Sequence, residues 1–199
     1  MPNNIVLCGV GGQGTVLASK LISAAAMEKG MPVMSAETIG MAQRGGSVFS
    51  HLRIGEGVFS PMIPLGGADL IIGFEPGEAV RMLPYLKTDG QMVVSARPVM
   101  PVTAALSGGY DGAAMVDFLR GQVKRLVVVD TEAAIAEVGS AKALNIILLG
   151  VAARTGAIGV TAAELEQAML KKVAPRFHEL NRRALACGEA IWRAAESGR

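Results

Sequence analysis

Two rhythms of apolar and polar residues alternate along the first two-thirds of the chain, and a helical rhythm takes over in the last third. Residues 5–8, Ile-Val-Leu-Cys, form a short apolar run that ends at Gly9, and residues 16–29 carry Ala, Leu and Ile at helical spacing. The order is strand, glycine turn, helix. Gly30 supplies a helix stop and residues 32–36 read as a second strand, so the start of the chain predicts a βαβ unit whose two strands pair in parallel. Periodicity disappears over residues 37–46, where Gly40, Gly45 and Gly46 mark a loop, and strand-like alternation resumes over residues 47–54. Further on, residues 68–74 predict a buried strand, residues 75–86 a short helix, and Asp89-Gly90 a turn into a strand over residues 91–95.

Residues 96–121 contain Pro98, Pro101, Gly108, Gly109 and Gly112 and predict an irregular excursion, followed by an apolar strand over residues 125–129 that ends at Asp130-Thr131. Helices are expected over residues 133–138, 143–154 and 164–173, the last with Thr161 and Glu164 placed as a capping box, and Pro175 opens a final helix. Residues 144–153 are apolar on nearly all sides apart from Asn145, which predicts a central buried helix too short to span a bilayer. No internal repeat is evident. The pattern predicts an α/β fold in one domain: a mostly parallel sheet with helices on both faces over residues 1–130, and a helical C-terminal part over residues 131–199. Ligands of such sheets sit beyond the C-terminal ends of the strands, which singles out the loops after Cys8 and Ala36.

Composition narrows the field. A chain of 199 residues suits one core, and with 51% hydrophobic and 18% charged residues it can bury a large interior, which excludes disorder. A net charge of +2 and 4% aromatic content argue against a nucleic-acid face. The only cysteines, Cys8 and Cys187, stand in no CxxC spacing, so this chain alone assembles neither a zinc site nor a four-thiolate iron-sulfur cluster. The start lacks a basic segment followed by an apolar stretch and no apolar run approaches a membrane span, so no membrane association and a cytoplasmic location are expected.

Gly9, Gly11 and Gly14 fit GxGxxG between a strand and a helix, where free backbone N–H groups and the helix dipole can hold a phosphate; Gly12, Gln13 and Thr15 belong to the same turn. The alternative is a tight turn that binds nothing. Glu37 stands near the position of a ribose-binding carboxylate, or holds its loop against the first glycine turn. A Walker loop fails because Thr15 stands where lysine should follow Gly14, and a dehydrogenase fails for want of a Tyr-x-x-x-Lys pair or an oriented histidine. Arg44, beside Gly45 and Gly46, suits a phosphate or carboxylate, or a salt bridge, and Ser47 offers a hydroxyl. Glu75 is better placed to cap the helix beginning at Pro76 than to bind a ligand. Asn145 either reaches a cofactor pocket or ties down a loop carbonyl. His51 and His178 lack catalytic partners, and the methionines read as core filler.

The run Gly9-Val10-Gly11-Gly12-Gln13-Gly14, followed by residues 35–47 reading SAETIGMAQRGGS, resembles the gamma-type subunit of 2-oxoacid:ferredoxin oxidoreductases. Residues 68–76 (ADLIIGFEP), Leu144-Asn145 and residues 175–181 (PRFHELN) resemble its indolepyruvate branch. The resemblance covers nearly the whole chain and implies a Rossmann-like domain that works only as the small subunit of a larger complex. That complex would oxidatively decarboxylate an aryl 2-oxoacid with coenzyme A. Thiamine diphosphate and iron-sulfur clusters would belong to a large partner subunit, which passes electrons to ferredoxin, and a dimer of such heterodimers is one assembly it allows. The implied cofactor contacts, to coenzyme A or to the distal part of the thiamine site, are Gly9, Gly11, Gly12, Gln13, Gly14, Thr15, Gly45, Gly46, Ser47 and Asn145, with Glu37 and Arg44 in support. A pyruvate or 2-oxoglutarate enzyme, a stand-alone dinucleotide-binding regulatory module and a purely structural scaffold remain as alternatives.

Overall fold

The computed structural model describes residues 2–38, 45–100 and 109–198. Among these residues six strands form one sheet: β1 (Asn3–Val10), β2 (Val33–Glu37), β3 (Ser47–Ile54), β4 (Ala68–Gly73), β5 (Leu86–Ser95) and β6 (Arg125–Val129), in the order β2-β3-β1-β4-β5-β6. The pairs β1/β4, β4/β5 and β5/β6 are parallel, while β3 runs antiparallel to both β1 and β2. The sheet is therefore mostly parallel with one reversed strand. Among the described residues seven α-helices accompany it: α1 (Thr15–Glu28), α2 (Pro76–Met82), α3 (Gly112–Gln122), α4 (Thr131–Val138), α5 (Leu144–Arg154), α6 (Ala162–Lys172) and α7 (His178–Ser197). Among the described residues no single helix is long and apolar enough to cross a membrane.

Because side chains alternate across a strand, each strand feeds two cores. Ile5 and Leu7 of β1 point into the larger cluster with Leu21 and Ile22 of α1 and most of α5, whereas Val6 and Cys8 point into a smaller one with Ala79 of α2 and Leu119 of α3. Helices therefore cover both faces, as the strand and helix alternation predicts. Residues from Leu144 to Ala152 of α5 are all buried, as expected of a helix apolar on every side, and α5 lies against α7. Their contact leaves no room for side chains: a Cβ at Gly150 would overlap the carbonyl of Leu185, and one at Gly188 that of Ile147. The expected capping box is present at α6, with Thr161 accepting from Glu164 N and the Glu164 carboxylate accepting from Thr161 N at 2.7 Å.

Four expectations are corrected. β2 does not pair with β1; β3 folds back between them, each Cα partner pair from Asn3↔Ile54 to Val10↔Ser47 being taken by β3. Both β2 and β3 carry a ladder of backbone bonds that local periodicity cannot assign to a partner. Asp89-Gly90 is no turn before a strand: it lies inside β5, in a bulge between Leu86, which pairs with Ala68, and Gln91, which pairs with Leu70. The excursion over residues 96–121 holds α3, whose N-cap Asp111 accepts from Ala114 N at 3.0 Å; only Gly112, Val116 and Leu119 of it are buried, too thin a stripe to show through its glycines. Pro175 opens a single 3-10 turn, Pro175–Phe177, and α7 begins one turn later at His178.

Candidate functional site

The C-terminal ends of β1 and β4 meet at one rim of the sheet, and the glycine turn leaves from there. Gly12 and Gly14 adopt φ of 103° and 85°, a region that side chains bearing a Cβ rarely enter, and Gly14 serves as N-cap of α1 without any side-chain cap. The first N–H groups of a helix thus lack a side-chain acceptor, the arrangement that receives an anion. Gly12 has open space where a Cβ would stand. Gly9 is small for a different reason: a Cβ would come within 2.6 Å of Gln13 Oε1 and 2.8 Å of Phe74 Cβ. Gln13 itself braces the turn, its Oε1 accepting from Val10 N at 2.7 Å and its Nε2 donating to the Phe74 carbonyl at 2.9 Å.

The second loop stands directly beside this turn. Gly11 N donates to the Gly46 carbonyl at 2.8 Å, and Gly45 N reaches the Gly11 carbonyl at 3.5 Å. The antiparallel β3 brings them together, since Val10 is the Cα partner of Ser47. Ser47 Oγ donates to Glu78 at 2.5 Å, tying the loop to α2. Arg44 lies outside the described residues. Glu37 ends β2 paired with Ser50 of β3, which holds it two strand spacings, about 10 Å, from Leu7 of β1, so it does not sit beside the first strand as in a dinucleotide site.

Beneath the turns sits a pair of carboxylates that the sequence marked only through the cap. Glu75 and Glu78 are 0% and 1% exposed. Glu75 Oε2 accepts from Glu78 N at 2.9 Å as the cap of α2, as expected, while Oε1 has no partner among the described residues. Burial pushes Glu75 up to about 7, against the pull of that backbone N–H. Burial, followed by the two nearby carboxylates, also drives the Cys8 thiol well above its ordinary range. Cys187 is likewise buried and lifted to about 11, by burial and then by Glu137.

The histidines serve the fold. His51 is fully buried, its Nδ1 accepts from Ile63 N at 2.9 Å, and burial lowers its pKa. A ring nitrogen of His178 bonds the Val173 carbonyl at 2.8 Å.

Two clefts flank the glycine turn. One, of about 330 Å³, is lined by Gly11, Gly12, Gly14, Thr15, Val16 and Val48. The other, of about 360 Å³, lies between Gly12-Gln13-Gly14 and the segment around Asn145, with Arg97 and Lys142 at its edge. Asn145 is 5% exposed and packs on Gly14, where a Cβ would stand 2.7 Å from its Nδ2. Of the residues singled out in the sequence, those of the first turn, Gly45, Gly46, Ser47 and Asn145 converge; Glu37 stands apart. Arg97 and Lys142 escaped notice, although Arg97 follows the C-terminal end of β5, where ligands of such sheets gather. A larger depression, of about 460 Å³, lies at the opposite rim among charges that include the Asp69–Lys87 ion pair.

Comparison with known proteins identifies the family. The model of the family described as pyruvate ferredoxin/flavodoxin oxidoreductase matches residues 4–191. The indolepyruvate oxidoreductase subunit IorB of Archaeoglobus fulgidus is 36% identical over 93% of this chain and 92% of its own length. That of Thermococcus kodakarensis is 34% identical over 93% of both chains. Among solved structures, the gamma subunit of the keto/oxoacid ferredoxin oxidoreductase from Geobacter sulfurreducens has a TM-score of 0.70 at 24% identity, over 96% of this chain and 98% of that one. The 2-oxoglutarate:ferredoxin oxidoreductase of Magnetococcus marinus, solved with 2-oxoglutarate, coenzyme A and succinyl-CoA bound, has a TM-score of 0.72 at 17% identity; it covers 97% of this chain, which spans 31% of that longer one. Sequence and fold agree over nearly the whole chain, and it belongs to the pyruvate ferredoxin/flavodoxin oxidoreductase family, as a non-autonomous subunit of a 2-oxoacid:ferredoxin oxidoreductase.

Proposed function

We propose that this chain is the small subunit of an indolepyruvate:ferredoxin oxidoreductase and acts as one unit in the cytoplasm, holding coenzyme A while a large partner subunit oxidatively decarboxylates an aryl 2-oxoacid. The observation that carries this reading is the Gly11–Gly46 backbone bond, which sets two glycine-bearing loops side by side at the strand ends. Open backbone at Gly12, the uncapped start of α1 and Asn145 offer donors to a diphosphate, while Gln13 and Gly9 keep the turn in shape. The aryl substrate is favoured by the indolepyruvate relatives, which are 34–36% identical over nearly the whole chain. Thiamine diphosphate and iron-sulfur clusters, bound by the partner, would supply decarboxylation and electron transfer to ferredoxin. This chain's part is to bind, orient and shield the thiol carrier, within a heterodimer or a dimer of heterodimers.

Co-expression with the large subunit, followed by coenzyme A-dependent dye reduction, tests this. Indolepyruvate should give a higher kcat/KM than pyruvate or 2-oxoglutarate, and the small chain alone should give no turnover. Gly12→Val, which plants a side chain in the anion position, should lower kcat/KM for coenzyme A by about thirtyfold or more, the worth of roughly 2 kcal/mol of charge-assisted bonding. An unchanged KM for coenzyme A in that variant would remove the carrier from this turn.

A further inference from the structure

The cleft beside the first turn of α1 carries more positive charge than a diphosphate on a glycine turn requires. Arg97, just beyond β5, and Lys142, in the turn leading into α5, line it opposite Gly12 and Gly14. Neither cation is neutralised: Lys142 makes no ion pair among the described residues, and Arg97 reaches only the exposed Glu132 carboxylate, at 4.0 Å. Between them Asn145, 95% buried by its 5% exposure, lays its amide against Gly14; its Oδ1 accepts from Ile146 N at 3.0 Å, and its Nδ2 has no acceptor among the described residues. The residue is buried but lines the cleft, so this donor is open to a ligand atom there.

We propose that Arg97 and Lys142, with the Asn145 amide, receive a terminal phosphate monoester of the ligand on the glycine turn, so that the assembled enzyme selects 3′-phosphorylated coenzyme A over its dephosphorylated form. This rests on coenzyme A binding at that turn. Backbone N–H groups and a helix dipole suffice for a diphosphate, but a monoester carries nearly two negative charges near neutral pH and rewards two fixed cations. Arginine adds a planar fork that grips two phosphate oxygens, and lysine a point charge. Both side chains are exposed, so replacing them leaves the core untouched.

The assembled heteromer is assayed by dye reduction with coenzyme A or dephospho-coenzyme A as the varied substrate. The wild-type KM for the dephosphorylated form should exceed that for coenzyme A by about tenfold or more, the worth of one charge-assisted contact. The double variant Arg97→Gln, Lys142→Gln should raise the KM for coenzyme A and bring the two values within about twofold, while Arg97→Lys keeps part of the discrimination. A wild-type enzyme that does not discriminate, or a double variant that keeps the wild-type ratio, overturns the proposal. Gly12→Val in parallel separates the two levels. If it raises KM for both ligands while the double variant still discriminates, only the phosphate assignment falls; if it changes neither KM, coenzyme A is not at this turn and both fall.

Discussion

At Gly12 a methyl group would meet nothing within 4 Å, whereas at Gly188, in the contact of α7 with α5, it would overlap the Ile147 carbonyl. Both positions demand glycine, one because its φ of 103° suits no side chain bearing a Cβ although the space beside it is open, the other because two backbones have already closed on each other. The first region is held by single hydrogen bonds at a solvent rim, among them Gly11 to Gly46 and Gln13 to Phe74. The second is sealed by apolar packing along α5, each fully buried Leu or Ile contributing roughly 1.5–3 kcal/mol. Substitutions in the turn should therefore cost binding, and substitutions in the helix contact should cost the fold.

The sharpest way to break that contrast is Gly188→Ala. Forcing α5 and α7 apart should destabilise the heteromer by about 3 kcal/mol or more and lower its Tm, with coenzyme A affinity of the surviving folded fraction little changed. A variant as stable as wild type would show that the helix pair can shift to admit a methyl group. Ser47→Ala acts at the rim instead. It removes the 2.5 Å bond to Glu78, leaving that buried carboxylate to Arg81 at 3.7 Å, and should cost about 1–2 kcal/mol in a urea melt while raising KM for coenzyme A.

The smallest effect concerns Glu75. With its pKa lifted from 4.5 to about 7, the native chain keeps a proton that the unfolded chain releases between those values. The stability this proton contributes is complete below about pH 4.5 and is lost as the pH rises to about 7. Glu75→Gln retains an acceptor for the Glu78 N–H without titrating, so it should flatten the slope and exceed wild type by about 1–2 kcal/mol at pH 8. Melts at pH 5 and pH 8 with the same difference between the two proteins would contradict it.

How much of this was readable from residues alone follows from where each signal resides. β3, β6, α1 and the capping box at Thr161 announce themselves because apolar period and cap chemistry are local. The place of β3 between β1 and β2 is set by pairing across the sheet, and no window of residues 1–54 contains it. The glycine turn and residues 45–47 were visible as motifs, but their mutual hydrogen bonds depend on that same unforeseen pairing. Arg97 and Lys142 are ordinary surface cations until β5 and the start of α5 bring them to one cleft. Glu78 gave no warning, because a glutamate in the first turn of a helix usually faces water, and here it is 1% exposed.

The burial of both cysteines has a practical side. Thiolate, the form that alkylating agents and peroxide attack, is suppressed twice over at Cys8, by the dry interior and by two neighbouring acids, and Cys187 is held near 11. Neither thiol of this subunit is poised for alkylation or for oxidation to a sulfenic acid, so rapid inactivation of the assembly by iodoacetamide would point to cysteines outside this chain.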